Sequence, residues 1–93
     1  MFKTNEYFDG KVKSIALECI EGTATIGVMA AGEYEFGTSS VEVMTVISGQ
    51  LLIQLPGETE WKAYNKFESF EVAKNLKFKV KASEDTPYLC LYK

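Results

Sequence analysis

Short stretches of alternating apolar and polar residues, separated by turn residues, run along the whole chain. A period of two residues is typical of strands with one buried face, whereas a helix repeats its apolar positions about every 3.6 residues. No segment of ten or more residues shows a helical stripe. The alternation predicts eight strands, over residues 11–18, 23–29, 33–38, 41–48, 50–55, 69–73, 76–82 and 88–92.

The residues between these stretches predict how the strands are connected. Gly49 indicates a hairpin or a tight bend between 41–48 and 50–55, and Asn75 is a residue type that tolerates a left-handed turn. The polar segment 58–66, around Trp61, predicts a loop over the rim of a barrel. Strands at this spacing predict an all-β chain in which residues 1–93 form one antiparallel β-barrel or jelly roll.

Composition fits a folded domain and argues against a nucleic-acid partner. The apolar fraction is 46% and the charged fraction is 25%, which is usual for globular proteins. The net charge is −3 and all basic residues are lysine, so the chain lacks the basic field and the guanidinium groups that bind phosphates. No apolar run approaches transmembrane length, and no signal-peptide stretch is present. We expect a cytoplasmic protein that binds neither nucleic acid nor membrane.

The supply of metal-binding side chains is small. The chain contains no histidine and only two cysteines, Cys19 and Cys90, far apart in the sequence. We expect both thiols to be free, with Cys90 buried on the last strand, and a zinc site is not expected from so few donors.

Glu42 is the first candidate for chemistry. Six residues separate it from Gly49, a spacing that resembles the first motif of the cupin barrel. In that motif two histidines precede the glutamate, and their places are held here by Phe36 and Thr38. The second cupin motif contains two glycines, a proline and a histidine. The corresponding residues of this chain are Phe67, Asn75, Ala73 and Phe78.

These replacements change what the predicted pocket can bind. A transition metal needs several converging nitrogen, sulfur or oxygen donors, and Glu42 with Thr38 offers one carboxylate and one hydroxyl. We therefore expect no metal cofactor. An aromatic pocket with a single acid instead suits stacking of a planar ring and hydrogen bonding of a polyol.

Further segments carry a resemblance that covers almost the whole chain. They are Asn5-Glu6-Tyr7-Phe8, Gly10 to Ile15, Gly27-Val28-Met29, Gly32 to Phe36, Glu42 to Gly49 and Tyr88 to Tyr92. Together these segments resemble the pyrimidine/purine nucleoside phosphorylases, a family of small bacterial cupin-like proteins. The resemblance implies a pentosyltransferase of nucleotide salvage that converts a nucleoside and phosphate to free base and (deoxy)ribose 1-phosphate. It also implies a cupin-like barrel that pairs as a homodimer.

The resemblance and the motif positions suggest roles for six residues. We expect Glu42 to be catalytic, facing the ribose hydroxyls or the cation that develops on the sugar, and Thr38 to donate to ribose or phosphate. Lys13 is the candidate for phosphate, since the chain has no arginine. The stacking wall is expected to contain Tyr34, Phe36 and Phe78.

Each role has a structural alternative. The three aromatic residues can be plain core, Lys13 can be a surface residue, and Glu42 can satisfy backbone amides. Two other functions also stay open: a non-catalytic cupin that binds a sugar or nucleoside, and a structural dimer with a filled barrel. The sequence leaves undetermined the preferred nucleosides, the general acid, the dimer interface and the effect of Phe67 and Ala73 at the motif's glycine and proline positions.

Overall fold

The computed structural model describes residues Met1–Lys93 and contains ten β-strands and no helix. The strands are β1 (Thr4–Tyr7), β2 (Val12–Cys19), β3 (Gly22–Met29), β4 (Gly32–Gly37), β5 (Glu42–Val46), β6 (Gln50–Gln54), β7 (Lys62–Asn65), β8 (Ser69–Val72), β9 (Lys77–Ala82) and β10 (Thr86–Tyr92). No helix long and apolar enough to cross a membrane is therefore present.

The strands form two antiparallel sheets that enclose one core. The larger sheet has the order β1-β2-β3-β10-β5-β8, and the smaller one has the order β4-β9-β6-β7. Alternate side chains of both sheets point inward, because successive residues of a strand face opposite sides. The fully buried core includes Met29 and Val46 from the larger sheet and Leu51, Ile53 and Val80 from the smaller one. The prediction of an all-β antiparallel fold is confirmed.

All eight predicted strands are present, with ends that differ from the predicted ones by at most two residues. Two further strands, β1 and β7, were not predicted. The prediction of a loop over residues 58–66 is wrong at Lys62–Asn65, where β7 pairs with β6. Both strands are four residues long and lie at sheet edges. β1 has no buried residue and β7 has one, Tyr64, so neither is long enough to show a recognisable alternation.

Gly49 marks a bend between sheets and not a hairpin. The strand before it, β5, pairs with β10 and β8, whereas the strand after it, β6, pairs with β9 and β7. Gly49 has a φ of +77°, a conformation that glycine adopts without a steric penalty. The chain uses this residue to cross from one sheet to the other.

The two glycine positions of the second cupin motif keep a glycine-like backbone. Phe67 has a φ of +67° and Asn75 has a φ of +62°, and both values lie in the left-handed region that L-residues seldom occupy. The turn predicted at Asn75 is confirmed. The tertiary structure therefore imposes the backbone conformation at Phe67 although its side chain disfavours it.

Strand β4 separates acids from aromatic rings as its alternation predicts. Glu33 and Glu35 are exposed, whereas Tyr34 is buried and Phe36 is half-buried. Glu35 lies opposite Lys79 of β9 in the sheet register, an arrangement of opposite charges that stabilises neighbouring strands modestly. The inward side of this strand is the side that reaches the cavity described next.

Candidate functional site

A cavity of about 250 Å³ lies between the two sheets near one end of the barrel. Its lining comes from the larger sheet, from the smaller sheet and from the end of β1 with the turn that follows. The larger sheet contributes Ser14, Glu42, Met44, Tyr88, Cys90 and Tyr92. The smaller sheet contributes Glu35, Phe36, Gly37 and Phe78. Tyr7 at the end of β1 and Phe8 in the turn between β1 and β2 complete the lining. The space is many times the volume of one water molecule, which argues against the structural interpretation in which side chains fill the barrel.

Glu42 begins β5 and its half-buried side chain lines this cavity. The thiol of Cys90 lies within donating distance of its Oε1, with 3.5 Å between sulfur and oxygen. Burial raises the pKa of Glu42 above its ordinary value, and the hydrogen bond from Cys90 opposes part of that rise. A carboxyl group shifted in this direction exchanges its proton closer to neutral pH, which suits it to chemistry as well as to binding.

Three residues of β10 point into the cavity beside Glu42, because they occupy alternate positions of one strand. Burial raises the pKa of Tyr88 to about 12 and that of Cys90 to about 12. Burial also raises the pKa of Tyr92, whose hydroxyl lies 3.1 Å from Oγ1 of Thr25. Near neutral pH these groups are protonated, so they offer neutral hydrogen-bond donors and no nucleophilic thiolate. The burial predicted for Cys90 is confirmed, and both cysteines are free.

Two of the three predicted wall residues meet in the cavity. Phe36 and Phe78 are opposite each other in the β4–β9 register, with ring centroids 5.7 Å apart. Tyr34 packs beside Phe36, with ring centroids 6.1 Å apart, and its hydroxyl donates to the carbonyl of Ala30 over 2.6 Å. Tyr34 does not line the cavity; it belongs to the buried core and packs against Phe36 on the same face of β4.

Thr38 is buried away from the cavity and its hydroxyl already has partners. Oγ1 donates to the carbonyl of Ala73 over 2.7 Å and accepts from the amide of Leu76 over 3.1 Å. These bonds tie the end of β4 to the turn between β8 and β9. The structure does not bring Thr38 together with Glu42.

Lys13 lies on the outer face of β2. Its Nζ is 3.1 Å from Oε1 of Glu6, and both side chains are largely exposed. The next residue, Ser14, points inward and lines the cavity, as strand alternation requires. No lysine is among the lining residues, and the side chains there that can carry charge near neutral pH are Glu35 and Glu42.

The metal-binding places of the cupin barrel do not provide a metal site in this chain. Phe36 and Phe78 have no donor atoms, and the hydroxyl of Thr38 is engaged with backbone groups. No three histidine, cysteine, aspartate or glutamate side chains cluster in a way that could hold a metal ion. The residues present therefore do not fit the metal that this fold commonly carries.

Several cavity residues were not predicted from the sequence. Tyr88, Cys90 and Tyr92 have strand spacing, so a common face could have been predicted, but their position beside Glu42 depends on the pairing of β10 with β5. Phe8 lies in a turn, where no periodicity indicates its direction. Ser14 stands next to Lys13, and no pattern in the sequence indicates which of the two side chains points inward.

Comparisons with known proteins identify the family and the fold of this chain. The sequence model of the pyrimidine/purine nucleoside phosphorylase family matches residues 2–92. A protein of that name from Pseudomonas aeruginosa is 58% identical over 93 residues, which is the full length of both chains. A protein of unknown function from Vibrio parahaemolyticus superposes with a TM-score of 0.92 at 41% identity, covering 97% of this chain and 96% of that one. An RmlC-like cupin from Shewanella frigidimarina superposes with a TM-score of 0.72 at 15% identity, covering 96% and 80%, so the cupin-like fold is confirmed.

Proposed function

Because the chain belongs to the pyrimidine/purine nucleoside phosphorylase family, we propose that it catalyses the phosphorolysis of purine and pyrimidine nucleosides. The products are free base and ribose or deoxyribose 1-phosphate, which makes it a pentosyltransferase of nucleotide salvage. One observation of the structure supports the proposal: Glu42 and the aromatic pair Phe36 and Phe78 line one cavity from opposite sheets. Such a cavity can hold a sugar against an acid while a base stacks on a ring.

The reaction assigns different tasks to the two walls. The bond between C1′ and the base nitrogen breaks, a phosphate oxygen bonds to C1′, and the base leaves with the electron pair and takes up a proton. Positive charge develops on the sugar ring, and a carboxylate at Glu42 would stabilise it or hold the ribose hydroxyls. Phe36 and Phe78 would orient the base by stacking. With Glu42 ionised in this role, a neutral tyrosine of the cavity, Tyr88 or Tyr92, would supply the proton to the leaving base.

Phosphate has to bind beside acids in this cavity. Glu35 and Glu42 are the side chains of its lining that can be charged near neutral pH, and both would repel an anion. Ser14, Tyr88 and Tyr92 supply hydroxyl donors on the wall that carries Glu42, and neutral donors can hold phosphate without a cation. We therefore place phosphate against these hydroxyls. Lys13 remains a second candidate for binding phosphate, although its ion pair with Glu6 on the outer face of β2 argues against that role. An unchanged KM for phosphate in Lys13→Ala would exclude Lys13 from phosphate binding.

The proposal is tested with phosphate-free protein and two nucleosides. Adenosine and uridine are incubated with and without added phosphate, and free base and ribose 1-phosphate are followed. We expect base release that depends on phosphate and survives treatment with a chelator, since the cavity lacks a metal ligand set. No release from either nucleoside would contradict the proposal, and loss of activity that added metal restores would contradict its metal-free form.

A second function has one observation in its favour. A cavity with two carboxyl groups and no lysine is poorly suited to an anion but well suited to sugar hydroxyls. The alternative is therefore a non-catalytic cupin that binds a nucleoside or sugar. Binding of adenosine or uridine by calorimetry, without turnover in the presence of phosphate, would select this alternative.

The homodimer and the cytoplasmic location remain predictions. The outer face of β2 and β3 exposes about half of each of the side chains of Ile15, Ile26 and Val28, and Ile15 lies opposite Ile26 in the register. An apolar patch on an outer sheet face suits contact with a second copy. Sedimentation of the purified chain measures its oligomeric state, and a monomer at micromolar concentration would contradict the dimer.

A further inference from the structure

The turn between β1 and β2 holds a bulky residue in an unfavourable conformation. Phe8 has a φ of +53° and Asp9 a φ of +57°, followed by Gly10 at +84°. Backbone amides of Gly10 and Lys11 donate to the carbonyls of Tyr7 and Phe8, both over 3.2 Å. A non-glycine residue with positive φ is uncommon, and a phenylalanine there needs contacts elsewhere to hold it.

Those contacts come from the opposite sheet. The ring of Phe8 has its centroid 5.0 Å from that of Tyr34 and 5.5 Å from that of Phe36. Both partners belong to β4 of the smaller sheet, whereas the β1–β2 hairpin belongs to the larger one. Phe8 therefore bridges the two sheets at the side of the cavity.

This packing leaves part of the Phe8 ring accessible to a ligand in the cavity. It lines the cavity and remains 42% exposed. Its ring stands at 88° to the ring of Phe36, so the two rings form a right-angled apolar corner. A planar ring that stacks on one of them meets the other edge to face, which is a favourable aromatic geometry.

We propose that Phe8 contacts the base of a bound nucleoside and, with Phe36, forms the base-binding corner of the cavity. This inference rests on the proposed function for the identity of the ligand. The opposite wall carries the polar groups of Ser14, Glu42 and Tyr88, which leaves the aromatic corner for the apolar faces of the base. Stacking requires only a flat π surface, which every nucleobase has, so one corner accepts purines and pyrimidines alike.

The chain contains a matched control for this residue. Phe67 also has a left-handed backbone, with a φ of +67°, and is 67% exposed. Its ring contacts the Nζ of Lys66, 4.9 Å from the ring centroid, and it does not line the cavity. Glycine fits the backbone at both positions. Phe8→Gly and Phe67→Gly therefore remove the same ring and the same backbone strain, but only the first removes a ring of the cavity.

The experiment measures equilibrium binding of adenosine and of uridine by calorimetry without phosphate, for the wild type, Phe8→Gly, Phe8→Leu and Phe67→Gly. We expect Phe8→Gly to bind both nucleosides about tenfold more weakly or worse, since loss of one stacking contact is of that size. Phe8→Leu keeps an apolar side chain without a π face, and its affinity for both nucleosides should lie between those of the wild type and Phe8→Gly. Phe67→Gly should bind like the wild type. Thermal unfolding followed by circular dichroism verifies that each variant is folded.

The outcomes separate this inference from the proposed function. Equal affinity of folded Phe8→Gly and wild type would overturn the role of Phe8 and leave phosphorolysis untouched. Weaker binding by Phe8→Gly in a protein that never releases base would support Phe8 and overturn catalysis. An equal loss of affinity in Phe67→Gly would overturn the inference, because the effect would not depend on the cavity. A wild type that binds neither nucleoside would overturn both.

Discussion

The ring of Tyr88 lies directly on Gly27 of the neighbouring strand. A Cβ atom at residue 27 would be 2.6 Å from the Cζ atom of that ring, which is closer than side-chain atoms approach one another. In the register Gly27 lies between Tyr88 on β10 and Ser14 on β2. The missing side chain therefore gives the phenol of Tyr88 room to lie across β3 towards Ser14, inside the cavity.

Substituting Gly27 should disturb both stability and the cavity. We expect Gly27→Ala to lower the free energy of unfolding by about 1–3 kcal/mol, because the added methyl group must displace the Tyr88 ring. Denaturant titration measures the loss. In a double-mutant cycle, Tyr88→Leu should recover part of the stability lost in Gly27→Ala, since the smaller side chain vacates the contact. Strictly additive effects would show that the clash does not involve Tyr88.

Replacing Glu42 should lower turnover without unfolding the protein. Glu42→Gln keeps the size of the side chain and the oxygen that accepts from Cys90, but it removes the charge and the titrating proton. We expect turnover to fall at least tenfold, which corresponds to about 1.4 kcal/mol of activation free energy. The exposed acid at the cavity rim, Glu35, provides the control, and Glu35→Gln should have the smaller effect. Unchanged kinetics in folded Glu42→Gln would remove Glu42 from the mechanism.

The pH dependence of stability should reveal the burial of Glu42. Its pKa is raised in the folded protein, mainly by burial, so the folded state holds the proton more tightly than the unfolded state. The contribution of Glu42 to stability is thus fully present below its unfolded pKa and is lost as pH rises through the folded pKa. Glu42→Gln does not titrate, so its free energy of unfolding relative to the wild type should increase from about pH 4 to pH 7. A difference that is constant over this range would contradict the raised pKa.

Thr38 should prove to be a structural residue. Thr38→Val removes the hydroxyl that bonds to Ala73 and Leu76, and it leaves the Leu76 amide and the Ala73 carbonyl without that partner. We expect a loss of about 1–3 kcal/mol in the free energy of unfolding, with Thr38→Ser close to the wild type. KM for nucleoside and for phosphate should change little at a temperature where both variants are folded. A large rise in KM in Thr38→Val would instead support the ligand contact predicted from the motif.

The backbone at Phe67 provides a test of stored strain. Phe67→Gly should be neutral or slightly stabilising, because relief of the left-handed conformation, about 1–2 kcal/mol, offsets the greater flexibility of glycine in the unfolded chain. Phe67→Val should be destabilising, since a β-branched residue fits a φ of +67° worse than phenylalanine does. Chemical denaturation of the three proteins gives the order of stabilities. Equal stability of the glycine and valine variants would show that backbone conformation does not decide the outcome.

The local pattern of the sequence was sufficient to predict most strands, because a strand with one buried face alternates apolar and polar residues. The same reasoning separated Tyr34 and Phe36 from the acids of β4. The cupin-motif positions led to three residues of the cavity, Glu42, Phe36 and Phe78. It could not predict β1 or β7, which are short edge strands held by backbone hydrogen bonds to a neighbour. Four residues with at most one buried side chain, Tyr64 in β7, are too few to reveal a period of two.

The sequence by itself determined the chemical inventory: no histidine, no arginine, one acid at the motif position and an excess of aromatic rings. Only the tertiary structure decided which of these groups share a cavity. Long-range pairing places Tyr92 opposite Glu42, turns Lys13 outward beside an inward Ser14, and brings Phe8 from a distant turn to Phe36. Strand alternation fixes which residues share a face, but the partner of each strand is set by packing of the whole chain. The cavity exists only where those faces meet.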